Sequence, residues 1–363
     1  TLMRSSAASD VYKRQDDTLV FSSSNPSIAT VNEDGVVTSH HAGKVTITVR
    51  EKESKKKAKH HITIEDIPYT SIEFAKNNPV SLESGTSHKM QLVTGPANAT
   101  DHRIKWTSSN KTAATVDENG TVTALRPIET VTITAVYKTN PALTCSWNLK
   151  ITRTKGYITK QMLDNLDLTA IKKVMITAHP DDETLWGGGH LIEGEYLVVC
   201  MTHGWNPKRR TAFEQTMRTT NDKYLILDYP DVRKTFSNGK YETDMLSTCK
   251  NAMQEDINLI LSYKKWDLIA THNPFGEYGK YLHKTISQMV TQCYNKMTNK
   301  SATLYYFGRY YNSSNKIPGE QIAPELLAIK NSMVDRYYPT AKGAIVAFGH
   351  MIPYENWLLP SEW

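Results

Sequence analysis

The chain has 363 residues, 39% of them hydrophobic and 22% charged. That length exceeds one ordinary core, so two or three domains are expected. The composition excludes a disordered chain, and no stretch approaches the ~18 consecutive apolar residues of a membrane span. Much of the net charge of +6 falls in Lys52 to Lys59. No aromatic residues interleave those lysines, so the run reads as a solvated hairpin and not as a nucleic-acid site; weak attraction to anionic wall polymers is compatible with it. Cys145, Cys200, Cys249 and Cys293 lie far apart without a CxxC, which argues against a zinc ribbon or a dense disulfide scaffold.

Thr1 to Gln15 lacks the apolar stretch of a secretory signal. It reads as unstructured, or as an artefact of translated adapter sequence, so the natural N-terminus is expected to be missing. An internal repeat follows. Residues 23–39 align with 108–124 at an offset of 85, and 10 of the 17 positions are identical. An offset of that size means repeated domains, because solenoid units recur at ~20–50 residues. Each copy runs into an alternating strand, Val45-Thr46-Ile47-Thr48-Val49 or Val131-Thr132-Ile133-Thr134-Ala135, and turn residues punctuate both. That pattern predicts small antiparallel sandwiches. The segments Ser23-Ser24-Asn25, Ala29-Thr30-Val31 and Gly35-Val36-Val37-Thr38, with their counterparts, resemble the bacterial Ig-like group 2 (BIG2) family. The resemblance covers 16–66, a copy truncated at its first strand, and 69–153. It implies display or spacing modules, without chemistry of their own.

After Arg153 the texture changes. Strand-like runs at 174–178, 196–202, 266–271 and 303–307 alternate with helix-like segments near 209–224, 245–263, 282–297 and 323–337. The alternation predicts a mainly parallel sheet with helices on both faces. The whole chain thus reads as multidomain: two all-β sandwiches, then an α/β domain over 156–363. Parallel sheets bind ligands beyond the carboxyl ends of their strands. Two sequence motifs fall there. One is Ala178-His179-Pro180-Asp181-Asp182-Glu183; the other is Thr271-His272-Asn273-Pro274, leading through Gly276-Glu277-Tyr278-Gly279-Lys280 to His283.

A strand that delivers an imidazole and three carboxylates into a water-poor loop needs a compensating positive charge. A divalent metal is the simplest one, and a metal beside a free carboxylate is the minimal apparatus for activating water. His179 and Asp182 are suitable ligands, and His283 supplies a third, which leaves one position open as catalytic zinc requires. Adjacent aspartates diverge, so one of Asp181 and Asp182 is expected to bind the metal and the other to face the bound water. The bland alternative is an Asp pair capping the next helix. Gly187-Gly188-Gly189 lacks GxGxxG spacing and reads as a close-packing device. His203, His272 and His350 read as structural, and Tyr354 to Trp363 reads as a packed tail.

Together the two motifs resemble the PIG-L/LmbE-like de-N-acetylase family over about 156–363. The resemblance implies a Rossmann-like fold, one zinc ion, and removal of the N-acetyl group from an N-acetylglucosamine-type carbohydrate. It implies His179, Asp182 and His283 as metal ligands and Asp181 as general base. It places Tyr278 near the substrate carbonyl, and Arg210 and Glu214 beside the sugar; as a plain helix pair, those last two would form an i,i+4 surface ion pair. One departure stands out: Lys280 occupies the first position of the family's His-x-x-His. A lysine can hold an oxyanion, but it shuttles protons poorly near neutral pH unless burial lowers its pKa. The expected protein is therefore a secreted or cell-surface bacterial zinc hydrolase, with ferrous iron compatible as the metal. Its partners would be an N-acetylated glycan and, through the Ig-like domains, wall polymers. The alternatives are a surface carbohydrate-binding protein with a degenerate deacetylase domain, or a metal hydrolase of another amide.

Overall fold

The computed structural model describes residues 19–231, 236–237, 240–241, 245–298 and 300–363. The segment 1–15 lies outside the described residues. The chain divides into two compact units. One contains residues up to 73 with 92–105 and 136–145; the other contains 74–91, 106–135 and 146–363.

In the first unit, Gly43–Glu51 pairs antiparallel with Leu19–Ser23 on one side and Lys57–Ile64 on the other. The lysine run therefore forms the turn and exposed return strand of a hairpin. Ala29–Val31 and Val37–Ser39 form a second antiparallel pair. Ala29, Val45 and Ile47 are the buried core of this copy, a small one. Its turn is built by Asn32, whose side-chain oxygen accepts from the Asp34 and Val36 N–H groups. The turn ends at Gly35, with φ of 78°, directly over the Phe21 ring. A methyl group there would stand 2.9 Å from that ring.

The second copy repeats the device. Asp117 accepts from the Asn119 and Thr121 N–H groups. Gly120 has φ of 80°, and a methyl on it would lie 2.6 Å from Trp106. The offset of 85 thus carries aromatic, turn acid or amide, and glycine together. Ala114, Val122, Ile133, Leu149 and Ile151 form the core of this copy.

The α/β region of the second unit has five strands: β1 (Lys173–Thr177), β2 (Tyr196–Thr202), β3 (Lys223–Tyr229), β4 (Leu268–His272) and β5 (Thr303–Phe307). All pair in parallel, in the order β3-β2-β1-β4-β5. The order reverses between β1 and β4, which opens a crevice at their carboxyl ends. The main helices are α1 (Asp182–Ile192), α2 (Pro207–Thr220), α3 (Lys250–Tyr263), α4 (Tyr281–Lys296) and α5 (Pro324–Phe348). Val174 and Ile176 of β1 pack in one core with α3 and α4, and Met175 packs in the other with α1, α2 and α5. That two-sided burial explains why the strand is a continuous apolar run. No helix among the described residues is long and apolar enough to cross a membrane.

Among the described residues several elements differ from expectation, including a short helix at Lys160–Asn165 that the sequence reading lacked. The helix expected over 209–224 ends at Thr220, because Asn221 adopts the left-handed conformation as its cap. The chain then turns into β3, a strand absent from the sequence reading. The helix expected to end at 337 continues through Pro339 to Phe348, bending at Ala341 (φ −129°). Proline bends a helix by removing a donor, and at this bend the Arg209 guanidinium takes the Thr340 carbonyl at 3.2 Å.

Asp222 joins β2 to the end of α2 by accepting the Tyr196 N–H at 2.9 Å. Burial raises its carboxyl to about 6, from an ordinary 3.8. A raised folded-state pKa favours folding fully below the unfolded value, and that advantage is lost as pH rises through about 6. Asp222→Asn keeps the acceptor and removes the ionisation. It should gain up to about 3 kcal/mol over the natural chain between pH 4 and 7.5. Chemical denaturation at the two pH values checks this, and an equal offset at both would refute it.

Candidate metal centre

The centre forms where β1 and β4 end. His179 leaves β1, Asp182 opens α1, and His283 lies in the first turn of α4. All three are buried. His179 Nδ1 lies 2.9 Å from His283 Nε2. Asp182 Oδ2 lies 3.3 Å from His179 Nδ1 and 3.4 Å from His283 Nε2. Ligands about 2.0–2.1 Å from a tetrahedral ion stand about 3.3 Å apart. Two edges of the triangle match that spacing and the third needs a small opening. The donor set of two imidazoles and a carboxylate suits zinc.

Carboxylates behind the histidines set their ring orientation. Glu277 bonds to His283 Nδ1 through Oε2, and its Oε1 lies 3.0 Å from His272 Nδ1. With Nδ1–H directed at Glu277, His283 presents the Nε2 lone pair to the centre. Burial holds its pKa below the ordinary value, which keeps that lone pair free. His272 Nε2 accepts the Ala178 N–H at 2.9 Å and lies 3.4 Å from Asp182 Oδ2, so it stands at the strand end beside the centre and, with Glu277 and His283, forms a second close group of possible ligands. Asp231, just beyond β3, lies 2.9 Å from His179 Nε2. Such outer carboxylates fix tautomers and raise ligand basicity.

Burial works against a charged His179, but Asp182 and Asp231 together outweigh it and push the imidazole up to about 9. The close contact between His179 Nδ1 and His283 Nε2 needs one proton between the two nitrogens. A cation at this centre must displace that proton. Zinc uptake should therefore release about one proton per ion near neutral pH, and zinc affinity should rise about tenfold per pH unit there. Calorimetry in buffers of different ionisation enthalpy measures the release; zero protons at pH 7 would contradict the arrangement.

Asp181 is buried at the mouth of the centre, with φ of 142°. A non-glycine residue held there is strained. Burial, then the charge of Asp182, raises its carboxyl to about 7, a value suited to moving protons near neutrality. Its backbone N–H donates to Glu183. Glu183 is itself fixed by the Tyr337 hydroxyl at 2.6 Å.

A cavity of about 360 Å³ adjoins Asp181, His179, Asp182 and His283. Tyr278 and Lys280 line it, as do Trp186, Arg209 and Phe348. Tyr278 packs on Phe348 with ring centroids 4.7 Å apart, and the Lys280 ammonium lies 5.8 Å from the Tyr278 ring centre. Arg210 and Glu214 do not line this cavity. They form the i,i+4 pair at 3.0 Å, with the Arg210 side chain 52% exposed. The neighbouring Arg209 reaches the cavity instead. Sequence reasoning missed Arg209 and Asp231, and it gave no role to Glu277. The signal for Asp231 was its place after an apolar run, had that run been read as a strand. His203 abuts the centre, its ring 5.6 Å from that of His179. His350 bonds the Tyr311 carbonyl outside it.

Fold and site together define a multidomain protein in which β-rich Ig-like repeats precede an α/β domain with a metal-binding type of cluster at the end of its parallel sheet. Residues 3–61 and 68–146 match the bacterial Ig-like domain (group 2), so the chain carries two such domains; both matches end before the centre. The chain is 31% identical over 175 residues to Uncharacterized protein L374 of Acanthamoeba polyphaga mimivirus, covering 44% of this chain and 67% of that protein, and it belongs to the same family. It is also 32% identical over 117 residues to Uncharacterized protein CA_P0160 of Clostridium acetobutylicum, of which it spans only 12%. Among solved structures it is similar to surface layer protein SbsC, domains 1–6 (20% identity, 37% of this chain and 20% of that one, TM-score 0.20). It is likewise similar to invasin, described as a bacterial integrin-binding protein (22% identity, 38% and 32%, TM-score 0.19). Neither likeness, at such TM-scores, bears on function.

Proposed function

We propose that the α/β domain is a Rossmann-like, zinc-dependent N-deacetylase acting on an N-acetylglucosamine-type carbohydrate. The observation that carries this reading is the meeting of His179, Asp182 and His283 beside a buried Asp181 with a raised pKa. A metal held by those three residues would supply Lewis acidity and lower the pKa of water. Asp181 takes the proton from the attacking water. Tyr278 and Lys280, at the cavity wall, hold the charge that develops on the acetamide oxygen. Asp181 then returns the proton to the departing amine, leaving acetate and an amino sugar. Arg209, tied to the Thr340 carbonyl, shapes the far wall for the sugar. The two Ig-like domains support a bacterial surface or extracellular setting.

The test is acetate release by the full chain from N-acetylglucosamine oligomers, with zinc and with chelator. Release that needs zinc and disappears in Asp181→Asn, with metal still bound, is the expected outcome. Bound zinc and bound sugar without release would favour the second reading, a binding protein in which Lys280 has replaced a needed histidine. Binding of neither would overturn both.

A further inference from the structure

Helix α1 is broken shortly after the ligand Asp182. Gly187 leaves the helical region, at φ −149° and ψ 16°. In an unbroken helix the His190 N–H would donate to the Trp186 carbonyl. Here a segment near the C-terminus serves both groups. Glu355 accepts the Gly189 N–H at 2.5 Å and the His190 N–H at 3.1 Å. The Trp357 indole N–H donates to the Trp186 carbonyl at 2.8 Å, and its ring stacks on His190 with centroids 3.8 Å apart.

The three glycines make this approach possible. A methyl on Gly187 would stand 3.0 Å from the Trp357 ring, and one on Gly189 would stand 3.2 Å from the Glu355 carboxylate. The Glu355 side chain is 3% exposed and pairs at 2.8 Å with Lys330, which is fully buried. A carboxylate kept inside with its own counter-ion, on freed N–H groups, acts as a cap for the second half of α1. The first half, 182–186, carries Asp182, and Leu185 and Trp186 line the cavity.

We propose that Glu355 is a positioning residue for the metal ligand Asp182. With Trp357 it fixes the angle between the two halves of α1, so that Asp182 Oδ2 stays within reach of His179 and His283. The hinge stands on its own geometry; its effect on zinc rests on the metal reading above.

The test uses the full chain as Glu355→Gln, as Trp357→Phe, and as Ile257→Val, a control on α3. Amide hydrogen exchange is followed without metal, and zinc affinity is measured against a chromophoric chelator. Both hinge variants should exchange faster at 182–190 than elsewhere and bind zinc about tenfold more weakly. The control should leave both readouts at their natural values, whereas a merely structural role would move them in all three. Trp357→Phe removes the indole donor and keeps an aromatic, though smaller, ring, so it carries the test if Glu355→Gln fails to fold. Natural exchange and natural zinc affinity in a folded Trp357→Phe chain would overturn the proposal. A natural chain that binds no zinc would sink the metal reading and the ligand-positioning role, leaving selective exchange as evidence for the hinge alone.

Discussion

His283→Ala should lower the zinc affinity of the full chain by more than about 100-fold, beyond the upper end of what outer-shell losses cost. On the proposed metal reading, removing His283 would leave two protein ligands, where catalytic zinc usually has three. It also strips Glu277 of one of its two imidazole partners, leaving part of a buried carboxylate uncompensated. Glu277→Gln keeps all three direct ligands and weakens only the orientation of His283, so its loss should stay within about 10–100-fold. Equilibrium dialysis against a zinc buffer ranks the two variants. Equal losses would mean that the effect is collapse of the loop and not removal of a ligand.

The second large effect is on stability. Lys330→Met should cost about 3–5 kcal/mol, because it leaves the buried Glu355 carboxylate without its lysine counter-ion. The sign with pH separates charge from packing. In the natural chain Glu355 is buried, yet Lys330 and His190 hold its carboxyl below the usual 4.5. Its contribution is therefore present above about 4.5 and is lost as pH falls below that. Without Lys330 the folded-state pKa of Glu355 rises, so the variant's deficit should be largest near pH 8 and shrink toward pH 4. A deficit that ignores pH would indicate lost packing of the lysine stem against Gly188. Lys330→Met combined with Glu355→Gln should recover much of the loss, since no buried charge then stands alone.

The parts of this centre that were legible in the sequence are those fixed by short-range geometry. His179 and Asp182 occupy one turn after an apolar strand, and the motif after the next parallel strand supplies His283. Each could be placed by counting residues from a strand end. Asp231 was not legible, because it follows β3, whose first two residues were read as the end of a helix and whose remainder, 225–229, was given no element. Arg210 and Glu214 show a different limit. Their spacing fits an i,i+4 pair, and that pair forms, but the face of α2 that meets the cavity is set by the burial of Ala212, Phe213 and Met217. One residue is about 100° of helix rotation, enough to exchange Arg210 for Arg209. The break in α1 was hidden for a similar reason. Three glycines permit a kink, but its partners, Lys330, Glu355 and Trp357, lie more than 140 positions away along the chain.

The aromatic ring closed over a turn glycine bears on how such a chain changes length over generations. Phe21 with Gly35, and Trp106 with Gly120, lie 14 positions apart in each copy. The closing contact is inherited whole with its own segment and borrows nothing from the neighbour. A recombination event that inserts or deletes one 85-residue period therefore transmits a self-sufficient lock each time. The number of copies can change by whole 85-residue periods while each copy keeps the aromatic ring that closes over its own turn glycine.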